Sequence, residues 1–211
     1  MTFYDKKAII LWYAKPRFGL EPGPKGRILM RVITGTARGR KLIAPEGLET
    51  RPTSDMAKEA MFSIVQFEVA GARVLDLFAG SGQIGIEALS RGASGAVFVD
   101  SSKAARDAIL FNLKSTGFEG RSALVFAEAE SYLKSCRDRF DLVFLDPPYQ
   151  SGLVERCLPL VAGLVRPGGV ILCETARDET TPEAAGVFGR KKEYRYGKAK
   201  VTTFRRGEES Y

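Results

Sequence analysis

Four consecutive residues, Asp146-Pro147-Pro148-Tyr149, combine a carboxylate, two prolines and an aromatic ring directly after an apolar run that begins at Phe140. The proline rings fix φ, and Pro148 forces Pro147 towards an extended conformation. The spacing therefore predicts a rigid loop at the carboxyl end of a buried strand, with backbone carbonyls that a neighbouring helix cannot recruit. A plain proline-rich turn would explain the prolines, but not the acid before them and the tyrosine after them.

Such a loop suits the exocyclic amino group of a nucleobase, which is a poor nucleophile because its lone pair is delocalised into the ring. The Asp146 carboxylate and the Pro147 carbonyl can accept its two N–H bonds and aim the lone pair at an alkyl donor. Tyr149 can stack on the base, and either Asp146 or water can take the released proton. The chain contains no histidine, which excludes an imidazole base and histidine metal ligands. We predict that Asp146, Pro147, Pro148 and Tyr149 form the catalytic site, without a metal.

A glycine loop with acidic residues around it precedes this motif. Gly80, Gly82 and Gly85 fit the spacing G-x-G-x-x-G between a strand and a helix, and Asp100 ends the next strand. This pattern alone would favour a dinucleotide-dependent dehydrogenase. Asp76, inside the first strand, disfavours that interpretation because its charge repels a pyrophosphate and suits a cation.

S-adenosylmethionine has a sulfonium and an ammonium group and no phosphate, so it is the predicted cofactor. The glycines let the backbone approach the ligand, and Asp100 can accept hydrogen bonds from two ribose hydroxyls. Glu128, just past the third strand, can accept from the adenine amino group. The predicted cofactor-binding residues are Asp76, Phe78, Gly80, Gly82, Asp100 and Glu128.

These motifs need a scaffold, and the apolar pattern from Arg73 onwards predicts one of alternating strands and helices. Five apolar strands separated by helical segments indicate a doubly wound, mostly parallel α/β sheet with right-handed crossovers. Alternating residues over 193–204 predict an antiparallel pair that completes the sheet. Upstream, we expect a helix capped by Thr53 or Ser54 and a small basic β-hairpin that pairs residues 31–34 with 41–44.

Four segments are predicted along the chain. Residues 1–29 form a partly disordered N-terminal extension, and 30–53 form the basic β-hairpin and a linker that contact RNA. Residues 54–206 form the catalytic domain, and 207–211 form a tail. The extension is distinguished by turn-forming prolines and glycines near its end.

The composition is that of an ordinary soluble protein, with 211 residues, 45% hydrophobic and 27% charged, and a net charge of +7. Residues 190–206 hold eight cations and one acid, so their net charge equals that of the whole chain. Arg38, Arg40 and Lys41 form a second basic cluster. Such clusters favour polyanions, although a solvated surface explains them equally well. Three widely spaced cysteines, and no apolar run of about 18 residues, indicate a reducing, cytoplasmic location without a membrane anchor.

Taken together, the motifs resemble the bacterial RsmD family of class I S-adenosylmethionine-dependent methyltransferases. The resemblance rests on RVITGTARGRKL at 31–42, RPTSD at 51–55, DLFAGSG at 76–82, GIEALSRGA at 85–93 and DPPY at 146–149. It implies a seven-stranded methyltransferase sheet with a small N-terminal β-hairpin that grips RNA. It also implies methylation of N2 of one guanine in 16S ribosomal RNA. The RNA-contacting residues that follow from it are Arg38, Arg40, Lys41 and Arg51, and Thr53 and Lys58 are placed near the cofactor or the RNA.

Two other functions remain open. An Asp-Pro-Pro-Tyr site serves adenine N6 or cytosine N4 in DNA or RNA equally well, although no large target-recognition domain is present. A non-catalytic RNA-binding protein on the same fold is the second, which intact Asp76, Asp100 and Asp146 disfavour. The expected partner is 16S ribosomal RNA in a small subunit or an assembly intermediate, and the protein is expected to be a monomer.

Overall fold

The computed structural model describes residues 28–45 and 52–207 as strands, helices and short connections. In chain order the elements are β1 (Ile28–Arg31), β2 (Lys41–Ile43), α1 (Pro52–Ile64), β3 (Arg73–Leu77), α2 (Gln83–Ser90), β4 (Gly95–Asp100), α3 (Lys103–Thr116), a 3₁₀ turn (Glu119–Arg121), β5 (Ser122–Phe126), α4 (Ala129–Ser135), β6 (Phe140–Leu145), α5 (Leu153–Ala162), β7 (Val165–Ala176), β8 (Ala184–Ala185), β9 (Phe188–Tyr196) and β10 (Ala199–Arg206).

One large sheet has the strand order β5-β4-β3-β6-β7-β10-β9-β8. The first five of these strands are parallel, and β10, β9 and β8 run antiparallel to their neighbours. The predicted doubly wound, mostly parallel sheet and its antiparallel finishing pair are therefore confirmed. β8 adds a two-residue eighth strand to the seven that were expected, because Ala184 and Ala185 pair with the start of β9.

Helices cover both faces of the parallel strands, so each strand is apolar on both sides. On one face, Val74 and Phe144 pack with Met61 and Phe62 of α1 and with residues of α2 and α3. On the other face, Leu75 and its neighbours pack with α4 and α5. Because side chains alternate along a strand, Asp76 points to the same face as Val74. By the same alternation, Asp100 and Asp146 point to the face of Phe98 and Phe144. The three predicted acids thus lie on the face covered by α1, α2 and α3, here called the α1–α3 face.

Several boundaries differ from the sequence-based expectation. α1 begins at Pro52, a favourable first residue of a helix, so Thr53 and Ser54 lie inside it and are not its cap. A proline inside a helix usually kinks or breaks it, yet α5 continues as one helix from Leu153 to Ala162 across Pro159. The apolar run at 170–173 predicts a short fifth parallel strand, but β7 begins at Val165 and accommodates the glycine turn as an irregularity in its pairing with β6.

The N-terminal hairpin is present, but its first strand is earlier than expected. β1 pairs with β2 from Ile28, two residues inside the predicted extension. Val32 still exchanges backbone hydrogen bonds with Arg40 and Gly39, whereas Ile33 and Thr34 leave the hairpin. The N–H groups of Ile33 and Thr34 instead donate to the Glu87 carboxylate of α2, at 2.8 and 3.0 Å. This contact joins residues more than 50 positions apart in the sequence, and it ends the hairpin strand earlier than the local pattern predicts. Residues 1–27 of the predicted extension, and 208–211 of the tail, lie outside the described residues.

Among the described residues, no helix has the length and apolar character that crossing a membrane requires. Within the same part of the chain, no group of three or more histidine, cysteine or acidic side chains is arranged to hold a metal ion. Cys136, Cys157 and Cys173 are buried free thiols.

Candidate active site

Four acidic side chains stand at the carboxyl ends of four neighbouring strands. Asp100 ends β4, Asp76 lies near the end of β3, Asp146 directly follows β6 and Glu174 lies near the end of β7. The sheet order β4-β3-β6-β7 places them side by side, with about 4.8 Å between adjacent strands. The structure therefore brings three predicted site residues together and adds a fourth, Glu174, which sequence reasoning missed.

The glycine loop connects β3 to α2 and needs its glycines for two separate reasons. Gly80 has φ +55°, and a Cβ added there would meet no atom within 4 Å, so its backbone faces open space that a ligand can approach. Gly85 is instead a site of close packing, because a Cβ would lie 2.2 Å from the Phe98 ring. Phe78, between β3 and this loop, is half-buried and has φ +68°, a rare conformation for a non-glycine residue.

Asp76 is buried beneath the glycine loop. One carboxylate oxygen, Oδ2, accepts a hydrogen bond of 2.9 Å from the N–H of Gly85 in the first turn of α2. Burial raises the pKa of Asp76 to about 7, and the Asp146 and Asp100 carboxylates add to the rise, against the Gly85 hydrogen bond and the charge of Lys58. A cation bound at the loop would favour the ionised form of Asp76.

Asp100 links the glycine loop to the start of α3. Its Oδ2 accepts from the N–H of Gly80 and its Oδ1 from the N–H of Ser102, both at 2.8 Å. Each carboxylate oxygen has two lone pairs, so one remains on each for the ribose hydroxyls that the sequence predicts. Glu128, predicted to accept from adenine, is exposed immediately before α4.

The Asp-Pro-Pro-Tyr loop follows β6 directly, as predicted. The Asp146 carboxyl is half-buried, and its burial raises its pKa, while the positive charge of Lys58 lowers it. Pro147 is buried and Pro148 is exposed. The Pro148 carbonyl accepts a hydrogen bond of 2.6 Å from the Ser151 hydroxyl, which closes the loop onto the start of α5.

Tyr149, the aromatic residue of this loop, is held in place by a hydrogen bond to β7. The Tyr149 hydroxyl donates a hydrogen bond of 2.8 Å to Oε1 of Glu174, and its half-buried ring packs against the core on the α1–α3 face. Burial and the Asp146 carboxylate together raise the pKa of Glu174 to about 8, against the lowering effects of the Tyr149 hydrogen bond and the charge of Lys58. A signal in the sequence could have found Glu174, since it is another acid at the end of an apolar strand, directly after Cys173.

Lys58 of α1 is the cation that faces these acids. Its Nζ donates to Oε1 of Gln83 at 3.3 Å. Its charge lowers the pKa values of Asp76, Asp146 and Glu174. The resemblance placed Lys58 near the cofactor or RNA, and the structure places it at the row of acids formed by Asp100, Asp76, Asp146 and Glu174, here called the acidic row.

The basic residues of the hairpin, Arg38, Arg40 and Lys41, are all exposed. The turn that holds them is fixed to α2, because the Ala37 N–H donates to the Ser90 hydroxyl at 3.0 Å. The buried Asn112 amide of α3 bonds both Ile43 of β2 and the Ser81 carbonyl of the glycine loop, each at 2.9 Å. Arg51, also predicted to contact RNA, lies outside the described residues.

The basic cluster at residues 190–206 has fewer cations free to bind a polyanion than its sequence suggests. Lys200 is buried and donates to Glu193, and Arg190 bonds both Glu193 and Glu183. Arg205 forms a salt bridge of 2.7 Å with Glu68. At least three of the eight cations between residues 190 and 206 therefore pair with acids in the part of the chain that the structure describes, and the cluster is a weaker polyanion site than its net charge implies.

The site fits S-adenosylmethionine in its charge, in its hydrogen-bond acceptors and in its open backbone. The open backbone at Gly80 allows close approach, the Asp100 oxygens retain acceptor capacity, and the buried Asp76 carboxyl complements a cation. The strand order, the glycine loop and the acids at the strand ends define a class I S-adenosylmethionine-dependent methyltransferase. The chain is therefore an enzyme of this class.

Comparison with known proteins identifies the family. The matching family model, described as "Conserved hypothetical protein 95", spans residues 30–205. YlbH of Bacillus subtilis (strain 168) is 36% identical over 182 residues, which are 84% of this chain and 99% of YlbH. Ribosomal RNA small subunit methyltransferase D of Escherichia coli (strain K12) is 37% identical over 67% of this chain and 71% of its own length. The solved structure of yhhF from Escherichia coli has a TM-score of 0.75 and 31% identity, and covers 85% of this chain and 99% of that one.

This chain belongs to the Conserved hypothetical protein 95 family, and the resemblance to the RsmD family is confirmed.

Proposed function

We propose that this enzyme transfers a methyl group from S-adenosylmethionine to N2 of a guanine in 16S ribosomal RNA. The observation that supports this most is the position of the Asp146 carboxyl. It directly follows β6, the neighbour of β3, and β3 leads into the glycine loop. A relative that is 37% identical is named ribosomal RNA small subunit methyltransferase D. The exposed basic turn of the hairpin supplies charges suited to RNA.

The catalytic work of the chain is positioning and electrostatics. When bound, S-adenosylmethionine supplies the methyl group on a positively charged sulfur. The Asp146 carboxylate and the Pro147 carbonyl accept the two N–H bonds of the target amino group and direct its lone pair. Tyr149 stacks on the base, and Asp146 or water takes the proton from the methylated nitrogen. Asp76, Phe78, Gly80, Gly82, Asp100 and Glu128 hold the cofactor.

The setting of the reaction is part of the same proposal. We propose that the substrate is a small ribosomal subunit or an assembly intermediate, and that the enzyme is a cytoplasmic monomer without a metal. Residues 30–53 act as the RNA-contacting segment, and 54–206 act as the catalytic segment. Arg38, Arg40, Lys41 and Arg51 contact the RNA.

Labelled S-adenosylmethionine tests the substrate class directly. The enzyme is incubated with unmodified small subunits, with large subunits and with naked 16S RNA, and the label in each RNA is measured. We expect label in 16S RNA and none in the large subunit. Transfer to large-subunit RNA alone would contradict the proposed substrate.

Removing the Asp100 carboxylate should weaken cofactor binding. We expect Asp100→Ala to lose on the order of 1–3 kcal/mol of S-adenosylmethionine affinity, because a charged acceptor for the ligand and a support of Gly80 disappear together. Titration calorimetry measures the dissociation constant. Asp100→Asn is the matched control, since it keeps one acceptor oxygen and should lose less. An unchanged constant in Asp100→Ala would remove this residue from the cofactor site.

Reversing charge on the hairpin should weaken RNA binding. For Arg38→Glu combined with Arg40→Glu, we expect lower affinity and a salt dependence reduced by about 1–2 in the slope of log K against log salt. Filter binding at several salt concentrations gives this slope. The control is Lys191→Glu combined with Lys192→Glu, two exposed cations of β9. If only the β9 pair changes the slope, the hairpin is not the RNA contact.

A further inference from the structure

A buried glutamate that the proposed mechanism does not use lies under the Asp-Pro-Pro-Tyr loop. Glu174 of β7 is 1% exposed. Its Oε1 accepts the hydrogen bond from the Tyr149 hydroxyl at 2.8 Å, and its buried Oε2 has no hydrogen-bond partner among the described residues. A buried polar atom without a partner is rare in folded proteins and calls for an explanation.

Glu174 is also next to a second carboxyl. Leu145 of β6 pairs with Cys173 of β7, so the residues that follow them, Asp146 and Glu174, lie one step further along adjacent strands. Alternation along β7 directs Glu174 to the same face as Leu172, which is the face that Tyr149 packs against. The negative charge of Asp146 contributes to the raised pKa of Glu174. Two carboxyl groups therefore lie next to each other where water solvates them poorly, and ionisation of one disfavours ionisation of the other.

This arrangement lowers the stability of the fold. An apolar residue of similar volume would continue the packing of Leu172 without a buried carboxyl group. A single hydrogen bond to a tyrosine returns less free energy than it costs to bury a carboxyl group that has to be neutralised and has an unpaired oxygen. The benefit of Glu174 must therefore lie in what it does to Tyr149.

We propose that Glu174 is a positioning residue for methyl transfer, which fixes the Tyr149 ring against which the target base stacks. The proposal rests on the proposed function, because it needs Tyr149 at the base. The ring is attached to the rigid Pro147-Pro148 corner at its backbone and to Glu174 at its hydroxyl, so both of its side-chain torsions are constrained. A base that stacks on a fixed ring holds its amino group in line with the methyl group.

The test uses three variants of the full chain on the RNA that the wild type methylates. Glu174→Leu removes the acceptor, and we expect kcat to fall by about ten- to a hundredfold. The cofactor dissociation constant should stay unchanged, and the free energy of unfolding should be equal or higher. Glu174→Gln keeps an acceptor for the Tyr149 hydroxyl, so its kcat should stay within about threefold of the wild type. Tyr149→Phe should lose as much as Glu174→Leu, and the double variant should lose no more than either.

Three results would overturn the proposal. The first is normal kcat in Glu174→Leu, and the second is equal loss in Glu174→Gln, which would assign the effect to charge. The third is additive loss in the double variant, which would separate Glu174 from Tyr149. If Glu174→Leu does not fold, normal turnover by Tyr149→Phe overturns the proposal instead. A wild type that methylates no RNA defeats the proposed function as well, whereas an active wild type with unaffected variants defeats only the role of Glu174.

Discussion

Asp146→Ala is expected to abolish methyl transfer while leaving the affinity for S-adenosylmethionine nearly intact. In the proposed mechanism the carboxylate accepts an N–H of the target amino group. Alanine would neither orient that nitrogen nor accept its proton. Loss of one preorganised group in a closed site reduces kcat by about a hundred- to a thousandfold. In the proposed site the cofactor contacts the neighbouring glycine loop, whose hydrogen bonds to Asp76 and Asp100 do not involve Asp146.

Single-turnover transfer of label and calorimetry measure these two quantities separately. Asp146→Asn is the matched variant, because it keeps one acceptor oxygen in the same volume and should retain an intermediate rate. Asp178→Ala, which removes an exposed acid, is the surface control. A normal rate in Asp146→Ala would show that another residue orients the amino group.

Asp76→Asn is expected to make the protein more stable and less able to bind its cofactor. The folded protein holds a proton on Asp76 up to a pKa of about 7, whereas the unfolded chain releases it near the ordinary value of 3.8. The unfolding free energy that this residue contributes is therefore present at low pH and is lost as the pH rises through 4 to 7. The full difference corresponds to about 4 kcal/mol at pH 8.

Asparagine removes the buried charge and keeps an oxygen to accept from the Gly85 N–H. We expect Asp76→Asn to gain on the order of 1–3 kcal/mol of unfolding free energy at pH 8 and almost nothing near pH 4. Its affinity for S-adenosylmethionine should fall by about tenfold, since a cationic ligand loses its nearest buried negative charge. Urea unfolding at both pH values and calorimetry give the two results.

The control for this substitution is Asp107→Asn, which changes a surface acid that pairs with Arg106. It should alter neither the pH dependence of stability nor the cofactor affinity. An Asp76→Asn protein that is less stable at pH 8, or that binds the cofactor normally, would contradict the electrostatic account of this residue.

Much of the fold could be predicted from the sequence because the parallel strands are buried on both faces and therefore mostly apolar. β3 and β6 are such runs. Asp76, one residue before the end of β3, and Asp146, directly after β6, are visible as breaks in the apolar pattern. The glycine loop was predictable from its glycine spacing, which the structure explains by open space at Gly80 and by close packing on Phe98 at Gly85. Local pattern thus determined these parts of the site.

The parts that were missed depend on contacts between distant residues. The hairpin strand ends early because Glu87 binds the N–H groups of Ile33 and Thr34, which no local pattern reveals. Lys200 was read as a surface cation, yet it is buried against Glu193 on the neighbouring strand. Glu174 could have been found by applying the strand-end rule once more, but its bond to Tyr149 follows only from the sheet order.

The identity of the methylated nucleoside tests the central claim most directly. Small ribosomal subunits that lack this modification are incubated with the enzyme and labelled S-adenosylmethionine, and the 16S RNA is digested to nucleosides and separated. The account predicts that the label elutes with N2-methylguanosine. Label in N6-methyladenosine or N4-methylcytidine, with none in guanosine, would contradict it.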